Sequence, residues 1–593
     1  MQLNTKLDSS SPAADAVVRS QQESLSRLLN TYLRENGQHF PGYSSPLRPE
    51  LTLKVVLPQL QKTLYGSLRH HSAGGHHVFG DSFFTEEHAH AEEVGFETIV
   101  NLLLDEVSFA EKDPESRELK KLELQTLLLN STRRMEGYFR HASQQPLPAL
   151  DFRSCEQSLL SGHPFHPTPK SLEGFSETDS RVYSPEYGTA FSLYGFAVAQ
   201  DCVVEDWLMD SFSEADANWI PEPMKAAARS KLSDEYADYV ILPCHPWQAN
   251  YLLSLESVQQ LIHNKQLIDL GLTGPTVYPT SSVRTVWSPE QQCFFKLSLH
   301  IRITNFIREN NYEQLRRTLD AAKVVHAVRE RYTTEQFQLL LEEGYRTVGI
   351  PGVSSLNEDL LASFSMIVRE APKACSSSDQ PPYVLASLLE VLPGEEEPLL
   401  FRAVRESLPE GGPDPDWIAW LQRYLQLSML PILRLYTETG ISLEAHVQNA
   451  MLSLDKGTPA VFYVRDLEGI SVNEEIARRE NWMQHLIEED SPVLYSEAES
   501  RHRLKYYFFV NHLCHLIQRL AFHSGQAEQP FWHTVKLTLE QMKQESDRST
   551  MQNLLDDLLN SDYLPAKANL LSRFHKRGET PLYVNIPNPI KSC

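Results

Sequence analysis

Cysteine is scarce in this 593-residue chain: seven residues, at positions 155, 202, 244, 293, 375, 514 and 593, odd in number and never in a CxxC pair. That excludes a disulfide framework and a structural zinc site, and it makes a reducing cytoplasm the expected compartment. Long apolar runs are also missing, and the opening MQLNTKLDSSSPAAD has neither a basic nor an apolar signal region, so neither export nor membrane insertion is expected. Positive charge is in deficit, 54 Lys and Arg against 78 Asp and Glu for a net charge of -24, which argues against general nucleic-acid binding. Any anion site must then be local and enclosed. There is no GxxxxGK[ST] loop and no dinucleotide fingerprint, so the common phosphate-binding loops are excluded.

What is present begins with size, which calls for two or three domains. Helical spacing of apolar residues predicts an opening helix from Asp15 to Asn36 with Gly37 as its stop, a helical region from Gly95 to Tyr138, and helices over Glu313–Arg331 and Thr334–Glu343. The run from Trp417 predicts helix up to a stop at Gly440. The segment from His70 to Glu93 collects His70, His71, His76, His77, His88 and His90 beside glutamates. No pair there has the spacing of helical metal ligands, so a solvated loop is the expected reading.

The central stretch is Tyr278–Asn310. From Phe295 to Ile303 apolar residues alternate with Lys296, Ser298, His300, Arg302 and Thr304, which predicts a strand with one buried face. A β-rich run from Thr280 to Trp287 precedes it across the turn-like Ser288–Gln292, so the pair reads as a hairpin. It would gather Ser282, Arg284, Lys296 and Arg302 on one face, with Thr285 and Thr304 supplying neutral donors. Such a set suits a phosphate or a carboxylate.

A second hairpin is predicted from Gly440 to Ile470. Its first strand alternates Ile441, Leu443, Ala445 and Val447 with Ser442, Glu444, His446 and Gln448, and Asp466 ends the second. Glu444 and Asp466, with Asn449 nearby, form an oxygen-rich set suited to Mg²⁺, and His446 would meet a nucleotide phosphate. Two proline-stiffened pieces complete the picture: SGHPFHPTPK with His163, His166 and Lys170, and ILPCHPWQAN with His245, Trp247 and Gln248. Cations for phosphate and carboxylate at one site, and paired acids for a metal at the other, together suggest a Mg-nucleotide enzyme acting on an anionic substrate.

HPFHPTPK, HPWQ, PTSSVRT, the strand from Lys296 to Arg308, EAHVQN and RDLEG, in that order over most of the chain, resemble the siderophore synthetases that work without a peptide-synthetase assembly line, the IucA/IucC family. The resemblance implies an α+β, multidomain cupped hand with antiparallel sheets and surrounding helices: thumb over 1–160, fingers over 161–370, palm over 371–593. It implies ATP- and Mg²⁺-dependent adenylation of a carboxylate of citrate or a citrate derivative, then condensation with an amine or alcohol. By motif, Ser282, Arg284, Thr285, Lys296, His446 and Asn449 would hold ATP, with Arg284, Lys296 and His446 catalytic, while Glu444 and Asp466 would ligand Mg²⁺. His166, Lys170, Thr304, Asn305, Arg308 and Arg503 would hold the carboxylate substrate. Members are often dimers, so a homodimer is implied. Two other readings stand beside this one: a ferric-siderophore binding or reductive-release protein, and a kinase-like phosphotransferase that would make ADP instead of AMP.

Overall fold

A computed structural model describes residues 12–38, 50–87, 90–208, 212–304, 306–349, 355–377, 379–408, 414–578 and 580–593. Three apolar cores organise them. The first forms because the opening helix, Pro12–Glu35, places Leu25, Leu28, Leu29, Tyr32 and Leu33 on one stripe. That stripe packs with a four-stranded antiparallel sheet and with two helices, Phe96–Ser108 and Pro114–Ala142. The helical region expected over 95–138 is divided: Asp113 accepts from Ser116 N at 2.8 Å and Pro114 opens the next helix, so a new helix starts there. Leu570 and Phe574, from the far end of the chain, close this core.

Among the described residues the histidine-rich segment holds no group of metal ligands, and its first part is buried and not a solvated loop. His76 is buried and stacks on His515, with ring centroids 5.0 Å apart. Glu528 takes His70 Nε2 at 2.9 Å and the Ala73 amide at 3.0 Å. His88 lies outside the described residues, and His90 is described only as part of a strand. The loop is therefore a dock for the C-terminal helices.

The second core lies under a seven-stranded antiparallel sheet whose order is Val203–Trp207, Glu342–Val348, Met366–Glu370, Cys293–Leu297, Thr285–Ser288, Thr276–Pro279 and Phe191–Ser192. The predicted hairpin is present as Thr285–Ser288 against Cys293–Leu297, with Thr285 opposite Lys296. Two features differ from expectation. Thr280 to Arg284 is a turn, tied by Val283 N to Thr280 O at 2.9 Å and Thr280 Oγ1 to Thr285 O at 2.9 Å. The long alternating strand breaks at Ser298: Cys293–Leu297 is buried on both faces, and Leu299–Ile303 joins a different, three-stranded sheet. Arg302 accordingly pairs with Glu173 at 3.5 Å, away from Lys296.

Expected as helix, 334–343 instead gives strands Phe337–Leu339 and Glu342–Val348, because its apolar residues pair with neighbouring strands. The third and largest core holds the C-terminal helices and the hairpin Ala450–Asp455 with Thr458–Val464. The expected helix up to Gly440 divides into Trp417–Leu427 and Met429–Thr439, and Gly440 ends it at φ +74°. Only Ile441–Ser442 of the predicted strand pairs in a sheet. From Glu444 to Asn449 the chain loops, since His446 Nδ1 accepts the Gln448 and Asn449 amides at 3.2 and 3.3 Å and the Asn449 amide group donates to Glu444 O at 3.1 Å. Local side-chain bonds have replaced the ladder.

Two tests follow from this packing. A Cβ at Gly74 would lie 2.5 Å from Cys514 Cβ and 2.6 Å from its sulfur, so Gly74→Ala should destabilise the docked loop by about 1–3 kcal/mol in chemical denaturation. His245, buried as the cap of Pro246–Leu253, has its pKa pushed down to about 3 by burial. The unfolded imidazole binds its proton below about 6.5 and the folded one does not, so stability falls as pH falls below about 6.5. His245→Asn keeps a capping acceptor and should reduce that slope by about 1.4 kcal/mol per pH unit.

Candidate active site

Between the cores lies a cavity of ≈ 1300 Å³. Of the residues predicted from motif, His166, Lys170, Ser282, Arg284, Thr285, Lys296, Thr304, Arg308, Glu444, His446, Asn449, Asp466 and Arg503 all line it. Asn305 lies outside the described residues.

One wall is built on the Thr280–Arg284 turn. Glu156 accepts the Ser281 amide at 3.1 Å, and Gln448 donates to Ser281 O at 3.3 Å, so the turn is fixed from below. Ser282 Oγ accepts the Thr285 amide at 3.3 Å, and Arg284 Nη1 donates to Asn310 Oδ1 at 2.7 Å. Arg308 donates to Ile303 O at 3.0 Å and Thr304 Oγ1 at 3.2 Å, while its Nε is buried without a hydrogen-bond partner. Among the described residues neither arginine has an ion-pair partner. Burial lowers both, and the Arg284 charge helps bring Arg308 to about 10. Asp466 and Glu468 act on both only at a distance, so two guanidiniums held together with no carboxylate in direct contact make a site for an anion.

The opposite wall carries the acids. Lys296, almost fully buried, reaches across to Asp466 Oδ1 at 2.9 Å and Glu468 Oε2 at 2.7 Å. Arg369 contacts the same Asp466 oxygen at 2.9 Å. Burial opposes ionisation of Asp466, but Lys296, Arg369 and Arg284 hold its carboxyl far below the usual range. Glu444 lies 3.7 Å from His446 Nε2 and 3.9 Å from Arg503. Burial lowers the His446 pKa; with Nδ1 accepting amides, the neutral ring presents Nε2–H to the cavity side. The Glu444 and Asp466 carboxylates, lining the same cavity as Arg284 and Arg308, suit a hard cation that also meets phosphate oxygens. Glu444 and Asp466 are the residues that would hold it.

Three non-glycine residues at this site, Val283 at φ +68°, Thr304 at +56° and Asp466 at +69°, adopt the left-handed region. Such conformations cost about 1–3 kcal/mol each and persist only where the surroundings enforce them. A third wall comes from the helical run Glu497–Ser524, whose middle, Lys505–Leu513, is π-helical. Arg503, Tyr507, Asn511, His515 and Arg519 all face the cavity at spacing four. In a plain α-helix that spacing drifts by about 40° per step; the wider π-turns drift the other way and keep the row aligned.

Comparison with known proteins decides the family. Residues 151–390 match the IucA/IucC family, and residues 418–582 match "Ferric iron reductase FhuF-like transporter". The chain is 36% identical over 571 residues to the L-2,3-diaminopropanoate--citrate ligase of Staphylococcus aureus, covering 95% of each chain. The chain belongs to the IucA/IucC family. A spermidine-citrate ligase of Bacillus anthracis is 29% identical over 549 residues, covering 89% of this chain and 88% of that one. The ATP-bound aerobactin synthetase IucA of Klebsiella pneumoniae shares the fold, with a TM-score of 0.81 at 22% identity, covering 96% of this chain and 99% of that one. Membership makes the chain a ligase of the siderophore-synthetase type, and the multidomain α+β fold expected from the motifs is the one found.

Within the family motifs, not every side chain is open to a ligand. The Lys170 ammonium is committed to Glu186 at 2.6 Å and to Leu159 O. In HPWQ, His245 caps a helix and Gln248 ties Ser363 O, at 3.1 Å, to the His300 amide, at 2.6 Å; neither lines the cavity. Sequence reading missed Arg369, Glu468, Glu156, Tyr507 and Lys567. Glu468 was legible, since it stands in RDLEG beside Asp466. Arg369 sits in the strand MIVRE, where a charge inside an apolar run was the available signal.

Gly469 lets the acid wall close. A Cβ there would fall 1.6 Å from Glu444 Oε2, and its carbonyl takes Arg503 at 2.7 Å. Gly469→Ala should displace Glu444 and lower kcat/KM by about 10²-fold, the cost of a misplacement near 1 Å, with an unchanged melting midpoint.

Proposed function

We propose that the chain adenylates a carboxylate of citrate or a citrate derivative with ATP and Mg²⁺, then condenses the acyl group with an amine. The observation that carries this is the pairing across one cavity of Arg284 and Arg308, which no carboxylate of the described residues contacts directly, with the Lys296–Asp466–Glu468 contact. Relatives named for joining citrate to diaminopropanoate or spermidine support citrate and an amine as the substrate pair. In this reading residues 1–160, 161–370 and 371–593 are thumb, fingers and palm around the cavity, the enzyme works in the cytoplasm, and two copies form a dimer.

Ser282, Thr285, Lys296, His446 and Asn449 hold the ATP phosphates, with Arg284 between them and the carboxylate. His166, Thr304, Asn305 and Arg308 hold citrate, with Arg503 at its edge and Lys170 fixing the His166 loop through Glu186. Mg²⁺ held by Glu444 and Asp466 supplies charge neutralisation at the phosphates. Attack of the carboxylate on the α-phosphorus brings two anions together. Arg284 and Lys296 offset that repulsion, and His446 donates Nε2–H to a phosphoryl oxygen. Pyrophosphate leaves, and the amine then displaces AMP from the acyl-adenylate, with no acyl-enzyme. Arg284→Ala should therefore cost about 2.7–4 kcal/mol of transition-state stabilisation.

The FhuF-like match keeps reductive release of iron as a second reading. Residues 418–582 hold one cysteine, Cys514, buried under the Gly74 loop, where an iron–sulfur cluster needs several. ATP, citrate, Mg²⁺ and hydroxylamine separate the readings. AMP, pyrophosphate and citryl-hydroxamate in equal amounts are expected; ADP would point to a kinase, and no nucleotide turnover with any carboxylate would remove the adenylation reading.

A further inference from the structure

One buried pair beside the site has no part in the chemistry above. Glu342 and Arg369 face each other across neighbouring strands of the seven-stranded sheet, with side chains 0% and 3% exposed. Arg369 Nε donates to Glu342 Oε1 at 2.6 Å, and its Nη2 lies 2.9 Å from Asp466 Oδ1 as an ion pair without hydrogen-bond geometry. Glu342 does not stop at the arginine: Oε2 accepts the Leu467 amide at 3.2 Å. The pair thus grips both the side chain of Asp466 and the backbone after it, on either side of a residue at φ +69°.

Burying a charge pair is costly, and an apolar pair of the same volume is often at least as stable. Stability alone therefore gives this pair little purpose. Geometry gives it one. Nε holds the guanidinium on Glu342, so the positive charge beside Asp466 is anchored to a strand of the sheet. Both cationic contacts to Asp466 fall on Oδ1, which holds that oxygen in place.

We propose that Arg369, fixed by Glu342, is a positioning residue for Asp466, holding the carboxylate in the direction in which it meets the divalent cation. The proposal rests on the reading of Asp466 as a metal ligand. Lys296 divides its ammonium between Asp466 and Glu468, whereas Glu342 and Arg369 together hold both the Asp466 side chain and the backbone after it.

The test uses the full-length enzyme and three variants, Arg369→Lys, Glu342→Gln and Asp466→Asn. ATP affinity is measured calorimetrically with and without Mg²⁺, and the Mg²⁺ concentration for half-maximal AMP formation is measured alongside. Lysine keeps the charge opposite Glu342 but is a flexible point donor without the rigid planar guanidinium that Glu342 orients. Arg369→Lys should raise the Mg²⁺ requirement about 10-fold or more, the usual loss when the support of a metal ligand is removed, and leave metal-free ATP affinity unchanged. Glu342→Gln should shift the requirement the same way by a smaller factor, and it carries the test if Arg369→Lys does not fold. Asp466→Asn should abolish the Mg²⁺ enhancement of ATP binding. If it does so while both other variants keep the wild-type Mg²⁺ requirement, the brace is overturned and the metal reading stands. If Asp466→Asn leaves Mg²⁺ dependence intact, the metal reading itself fails, and the brace with it. Equal weakening of ATP binding with and without Mg²⁺ in Arg369→Lys would mark a direct phosphate contact and overturn positioning.

Discussion

The contact between Lys296 and Asp466, made across 170 residues of sequence, is the constraint on which the site depends. It joins a strand of the seven-stranded sheet to the end of the Thr458–Val464 strand in another core. Lys296 is only 3% exposed, and a buried ammonium needs acidic partners; Asp466 and Glu468, both carried by the other core, supply them, so the two cores register against one another at this point. The turn carrying Ser282 and Arg284 and the loop carrying Glu444 and His446 are set in position by that registration.

Charge is distributed unevenly around this contact. On the acid wall nearly every group is answered: Lys296 by Asp466 and Glu468, Arg369 by Glu342 and Asp466, Arg465 by Glu156. On the other wall Arg284 and Arg308 are answered only by neutral oxygens. In a chain of net charge -24, that imbalance confines attraction for anions to one enclosed place.

Much of this was legible in sequence because the motifs carry their chemistry locally. Alternation marked the hairpin around Pro289, Gly37 and Gly440 marked helix ends, and the cavity collects every described residue to which the motifs assign a site role. Four things were not legible, each for a physical reason. Alternation at Ile441–Gln448 matches the observed burial but not a ladder, because His446 and Asn449 take the backbone's hydrogen bonds. The switch of sheets at Ser298 is a tertiary event invisible in a continuous pattern. Arg369 and Glu342 act through partners far away in sequence, and 334–343 read as helix because strand pairing decides such short apolar runs.

The row Arg503, Tyr507, Asn511, His515 and Arg519 depends on the π-helical stretch between Lys505 and Leu513 for its alignment. Its consequence concerns winding more than identity. At the same length but wound as plain α-helix, the row would drift by about 40° per step, and Arg503 would turn away from Glu444 although both residues were still present.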